Sequence, residues 1–394
     1  MNFLGVSIKK FRYIIKYIIK LRGEKMHYLH RARLSILIIV QVLLVLFATG
    51  CDSNNMDQAM DKAKIEPEKA TEWLQGIIGN LKPQKHIVLG YYENPWTGAD
   101  ESTGSYPSLK AFSKSLSSVG PFWYRVEKDG SIESKEVPEV YEQMRQMGLK
   151  VLPLVTNKRE ATPAILGDPA VRVKSVDNLV KLCQEKNYDG LNIDFELLPP
   201  EQRDNLTAFM AELYPKMKAA NKTVIISVFP QVDVHESVSG AYDYPKLAPN
   251  TDYVQIMTYD NHWSTSSPGA IAPIEWYEKN IQYAIDKCGG PQKILVGVSA
   301  YGYDWDKDNK GETITYPDAI VLANKKGSEI KYDETVEAPY FKYDDHEVWF
   351  ENSRSIAAKL KVVAKYNPAG IAIWRLGQEQ PEVWQEIDKI FPKS

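Results

Sequence analysis

Eight short apolar runs, separated by stretches of helical periodicity, constrain this chain more than any other feature. The runs are Ile87 to Tyr92, Ser118 to Val126, Lys150 to Val155, Gly190 to Phe195, Thr223 to Phe229, Tyr253 to Tyr259, Ile294 to Ser299 and Gly370 to Trp374. Most are apolar almost without interruption, as strands covered on both faces must be. Helical patterns fall between most of them, at Pro138 to Met147, Asp168 to Lys186, Pro200 to Ala220, Ile274 to Lys287 and Ser353 to Tyr366. Strands alternating with helices need parallel pairing, and eight of them predict an α/β fold closed as a (β/α)8 barrel of the TIM type. One connection breaks the rhythm. Residues 303–352, between strand 7 and helix 7, hold strand-like pieces at Glu312 to Tyr316 and Glu347 to Phe350. They read as a small α+β insertion that walls one side of the barrel mouth.

The fourth run carries the chemistry. In a strand, residues two apart share a face. Leu191, Ile193 and Phe195 therefore point toward covering helices, and Asn192, Asp194 and Glu196 point into the barrel. Barrel interiors are normally filled by Val, Ile and Leu. Carboxylates there cost several kcal/mol unless paired or hydrogen-bonded, and like charges roughly 7 Å apart raise each other's pKa. Glu196 stands at the C-terminal end of its strand, where barrel enzymes place catalysis. The pattern suits Glu196 as a general acid with a raised pKa.

This segment resembles the family 18 glycoside hydrolases, the chitinase-like family. Asp189, Asn192, Asp194 and Glu196 stand at the spacing of the signature D-x-x-D-x-D-x-E, departing from it only at Asn192. Met257, Tyr259 and Asp260 match the motif M-x-Y-D at the end of strand 6, and Trp374 ends strand 8 where the family places an aromatic floor. The resemblance covers about 300 residues, from His86 onward. Within the family, Pro339 to Phe341, His346 to Glu351 and Ser353 to Ser355 look most like the spore-germination and cortex-lytic branch, which acts on peptidoglycan or related N-acetylglucosamine glycans. The LysM repeats common in that branch are not seen.

The resemblance implies a retaining mechanism in which the substrate's own 2-acetamido oxygen is the nucleophile. Glu196 would protonate the glycosidic oxygen and later deprotonate water. Asp194 would hydrogen-bond the acetamide N–H and stabilise the oxazolinium, and Tyr259 would hold the acetamide carbonyl. Asp260 would bind sugar hydroxyls, with Met257 beside it in the motif, and Trp374 would stack beneath the ring. Asn192 can still donate to Asp194 but cannot share a proton with it. Asp189, of opposite parity, is expected to be structural. Tyr92, Trp96, Trp263 and Trp305 follow strand ends and suit either further sugar subsites or structural roles; His235 and His262 read as bystanders. The expected partner is an N-acetylglucosamine-containing polysaccharide, without cofactor or metal. A non-catalytic glycan-binding lectin on the same barrel is disfavoured because Glu196 is retained. An endo-acting enzyme on N-glycans stays open.

The N-terminus has a different character. Leu34 to Phe47 is apolar except for Ser35 and Gln41, follows Arg31 and Arg33, and runs into Ala48, Thr49, Gly50 and Cys51. At about 14 residues it is short for a membrane span. A basic start, an apolar middle and small residues before Cys describe a lipoprotein-type export signal over 1–50. Cys51 is the expected lipidation site, placing the chain on the outer face of the cell membrane or with the cell wall or spore. The basic leader before Met26 is unusually long, and translation from Met26 would give ordinary proportions. Residues 51–84 read as a tether, with a short helix at Glu68 to Leu81, leading to a catalytic barrel over 85–394. Net charge is −3, which offers no basic field for nucleic acid. Cys183 and Cys288 lack metal-ligand spacing and read as small core residues. A monomer is expected.

Overall fold

The structure is a computed structural model and describes residues 86–94 and 104–392. The expected signal, Cys51, the tether and Trp96 lie outside the described residues. The barrel strands are β1 (Ile87–Tyr92), β2 (Ser118–Val126), β3 in two pieces (Lys150–Val151 and Leu154–Asn157), β4 (Gly190–Asp194), β5 (Thr223–Val228), β6 (Tyr253–Ile256), β7 (Ile294–Ser299) and β8 (Gly370–Trp374). Each pairs in parallel with its neighbours, and β1 bonds both β8 and β2, closing the barrel. Pro153 lacks an N–H for the ladder, and β3 is interrupted where it stands.

Two layers of side chains result. Leu89, Tyr91, Leu154, Ile225 and Leu295 pack in one cluster with Ala372, formed by the inward-facing residues. The alternate residues, such as Val88, Leu191, Ile193 and Val296, pack against the helices. The helix Pro169–Glu185 starts where Asp168 accepts the N–H groups of Ala170 and Val171, with Pro at its first position. The helix Ile274–Cys288 stops at Gly289, whose φ of +84° suits a residue without a side chain. Cys183 and Cys288 are free and buried in this outer layer. No helix among the described residues is long and apolar enough to cross a membrane.

The insertion begins slightly earlier than its sequence pattern shows, because β7 is followed after a single residue by the strand Tyr301–Trp305. This strand joins an antiparallel five-stranded sheet in the order 311–315, 301–305, 346–349, 338–343, 331–333. The helix Tyr316–Lys326 covers it, packing Ala319 and Ala323 against Ile314, Phe341, Val348 and Phe350. The chain then returns to the barrel through Glu351 and the helix Ser353–Tyr366, whose N-cap Asn352 forms a capping box with Ser355.

Candidate active site

The outer face of β4 fixes the inner one. Leu191 and Ile193 are fully buried, as is Phe195 just beyond the strand, and the Phe195 ring lies 5.1 Å from Phe209 of a covering helix. Each such burial stabilises by about 1.5–3 kcal/mol, and slipping the strand by one residue would forfeit all three. Gly190 opens the strand against its neighbour, where a Cβ would stand 2.0 Å from the Thr223 carbonyl oxygen. Asp189, just before it, accepts the Val151 N–H at 2.9 Å and pairs with Arg145 at 3.1 Å, a structural role.

Asn192, Asp194 and Glu196 consequently share the inward face at three depths. Asn192 is fully buried and does not reach the cavity. Its Oδ1 accepts the Tyr91 hydroxyl at 2.8 Å and its Nδ2 donates to Ser227 Oγ at 2.8 Å. The expected contact with substrate and the expected donation to Asp194 are therefore both corrected. Ser227 stands between them and hydrogen-bonds Asp194 itself. Burial lifts the Asp194 carboxyl to about 6, against the pull of Ser227. Glu196 is half-buried beyond the strand end. Burial, then the charges of Asp194 and Asp260, hold its carboxyl well above the usual range.

These carboxyls line a cavity of about 510 Å³ at the barrel mouth, a size typical of small-molecule sites. Met257, Tyr259, Asp260, Trp263 and Trp374 line it with them. Burial keeps the Tyr259 hydroxyl protonated, reinforced by the charges around it, so it is a hydrogen-bond donor. Asp260, at φ +59°, accepts the hydroxyls of Tyr301 at 2.5 Å and Tyr303 at 3.2 Å, both on the first strand of the insertion. Burial raises its pKa while those two bonds lower it. Trp374 is half-buried, with its ring centroid 5.5 Å from Tyr91 and 6.3 Å from Phe122. Among the described residues no cluster could hold a metal ion.

Of the aromatic and histidine expectations, the subsite role of Tyr92 changes. Tyr92 turns outward into the helix-facing core against Trp123, and the adjacent Tyr91 faces the cavity instead. Trp305 is fully buried and donates its indole N–H to the Trp263 carbonyl, which supports that loop from behind. His235 lines the cavity rim, its ring bonded to Ser237. His262 stays clear of the cavity, bonded to the Ser267 carbonyl. Sequence reasoning also missed Asn157 at the end of β3, whose side chain holds the main chain of Glu196.

A parallel barrel whose acidic strand opens into a cleft at its C-terminal end has the arrangement a glycoside hydrolase needs. Residues 85–379 match the family model of glycosyl hydrolases family 18, and the chain belongs to that family. It is 29% identical over 304 residues to the uncharacterized glycosylase YvbX of Bacillus subtilis, covering 73% of this chain and 88% of that protein. It is 28% identical over 303 residues to the cortical fragment-lytic enzyme of Bacillus cereus, covering 72% and 70%. The crystal structure of the Bacillus cereus spore cortex-lytic enzyme SleL superposes with a TM-score of 0.72 at 26% identity, covering 78% of this chain and 75% of that one.

Proposed function

We propose that this glycoside hydrolase is an exported, retaining enzyme that cleaves β-linked N-acetylglucosamine glycans, with peptidoglycan fragments as the first candidate substrate. The observation that carries the reading is the pair of inward carboxyls with unequal environments. Glu196 is kept protonated by burial and by the Asp194 charge, and Asp194 is the more readily ionised of the two. In the first step the substrate's acetamide oxygen attacks the anomeric carbon as Glu196 gives its proton to the departing glycosidic oxygen. The oxazolinium that forms is cationic, and the Asp194 carboxylate accepts its N–H. Tyr259 donates its hydroxyl hydrogen to the acetamide oxygen before attack. Water then adds to the anomeric carbon, losing a proton to the Glu196 carboxylate, and the ring opens to the retained product. Trp374 offers its face to the sugar, and Asp260 offers acceptors to hydroxyls.

The choice of peptidoglycan over chitin rests on the cortical fragment-lytic relative and the cortex-lytic structure. Mass spectrometry of products from chitooligosaccharides and from muropeptide glycan strands tests it. Faster cleavage of muropeptide strands, leaving N-acetylglucosamine at the new reducing ends, is the expected result; turnover of chitooligosaccharides alone would discard it. Anchoring through Cys51 belongs to the same reading. A palmitate analogue should label the wild type and leave Cys51→Ala unlabelled.

A further inference from the structure

We infer that Asn157, assisted by Tyr242, positions the catalytic acid by holding its main chain, an inference that rests on Glu196 being that acid. The sheet stops short of Glu196. The last paired residues of β3 and β4 are Thr156 and Asp194, and β4 ends at Asp194. Glu196 thus lies where the ladder no longer fixes the backbone, and Leu197 at φ +54° then turns the chain away. Its carboxylate accepts no hydrogen bond from the described residues, so none of them holds the acid by its head.

Asn157 supplies the missing rung. Its Oδ1 accepts the Glu196 N–H at 2.8 Å, and its Nδ2 donates to the Glu196 carbonyl at 3.1 Å. Only one orientation of the amide can satisfy both groups, because the oxygen cannot donate and the nitrogen cannot accept. That orientation is held by Thr162, whose Oγ1 accepts the same Nδ2 at 2.6 Å. One residue earlier, the buried Tyr242 hydroxyl donates to the Phe195 carbonyl at 2.8 Å. Side chains from two different parts of the barrel thereby replace backbone pairing on both sides of the peptide that precedes the acid. Neither residue bonds the Glu196 carboxyl, so both are positioning residues.

The consequence is a loss in turnover without a loss in binding. A misplacement of about 1 Å at a reacting group costs on the order of 10²-fold. Asn157→Ala and Tyr242→Phe in the full chain should lower kcat about 10- to 100-fold per active site, on whichever of chitooligosaccharide or muropeptide glycan the wild type turns over. Affinity for a thiazoline mimic of the oxazolinium, measured by calorimetry, should stay within about twofold, since Asp194 and Tyr259 are untouched. Asn157→Asp keeps the acceptor for the Glu196 N–H and adds a negative charge. It should retain more activity than Asn157→Ala and shift the basic limb of the pH–rate profile upward. If Asn157→Ala fails to fold, Asn157→Asp and Tyr242→Phe carry the test. Wild-type kcat per titrated site in these variants, with Glu196→Gln inactive, overturns the positioning role. Wild-type activity in Glu196→Gln would instead overturn the identity of the acid.

Discussion

Two sets of buried carboxyls in this molecule meet the same physical problem in opposite ways. Where the insertion rejoins the barrel, Glu351 is fully buried, and the ammonium of Lys359, equally buried, lies 2.9 Å away. Ser355 donates a further hydrogen bond at 2.5 Å. Burial still raises the Glu351 pKa, but Lys359 and Ser355 pull against it. At the mouth, no Lys or Arg among the described residues lines the cavity. Asp194 has only a neutral donor, Ser227, and Glu196 has like charges that add to the effect of burial. A paired carboxylate is inert and holds two elements together. An unpaired one is pushed by burial toward its protonated form, and at Glu196 the neighbouring charges add to that push.

The contrast breaks most visibly at Glu196. General acid catalysis is typically worth about 10²- to 10⁴-fold, so Glu196→Gln should lower kcat by at least the smaller of these with little change in affinity. Retention of most activity would mean that the unpaired carboxyl is not the proton donor. At the other site, Lys359→Met should leave Glu351 buried without its partner and cost about 3–5 kcal/mol in urea unfolding. The double variant Glu351→Leu with Lys359→Met should recover most of it, because no uncompensated charge remains. A loss as large in the double variant as in the single one would show that packing, and not charge, matters there.

The smallest effect sharpens the comparison through pH. The folded state holds the Asp194 proton up to about 6, against an ordinary value of 3.8. The native state therefore binds the proton more tightly than the unfolded one. Stability is full below about pH 4 and falls as pH rises through about 6. Asp194→Asn removes that fall. It should stabilise the protein at pH 8 by on the order of 2–3 kcal/mol and add almost nothing at about pH 3. A gain of equal size at both pH values would assign the effect to packing.

The eight strands were legible because burial on both faces leaves unbroken apolar runs, and β1, β2, β7 and β8 have the bounds those runs predict. The same double burial hid which way each strand faces. In β1 both faces are apolar or aromatic, so Tyr91 and Tyr92 cannot be told apart by alternation, whereas β4 alternates polar and apolar and declares its inward side. The short hairpin strand Ile132–Ser134 and the helix Tyr316–Lys326 had no strong periodicity to announce them. Asn157 was invisible for another reason. Its importance comes from its position across a strand pair, and its partner Glu196 lies 39 residues away in sequence.

The wall of the cleft is a continuation of the barrel itself. Only Ala300 separates β7 from the first strand of the insertion, and its N–H is bonded to the Trp374 carbonyl at 2.8 Å. Tyr301 and Tyr303 of that strand then hold Asp260 from the far side. A wall tied to the barrel at its root and again through Asp260 is expected to take its position as the barrel folds. The ordering entropy of complex formation then falls mainly on the flexible glycan. Tight association should come from sugars that are already stiff, and loosely jointed chains of the same composition should be held less firmly by the same groove.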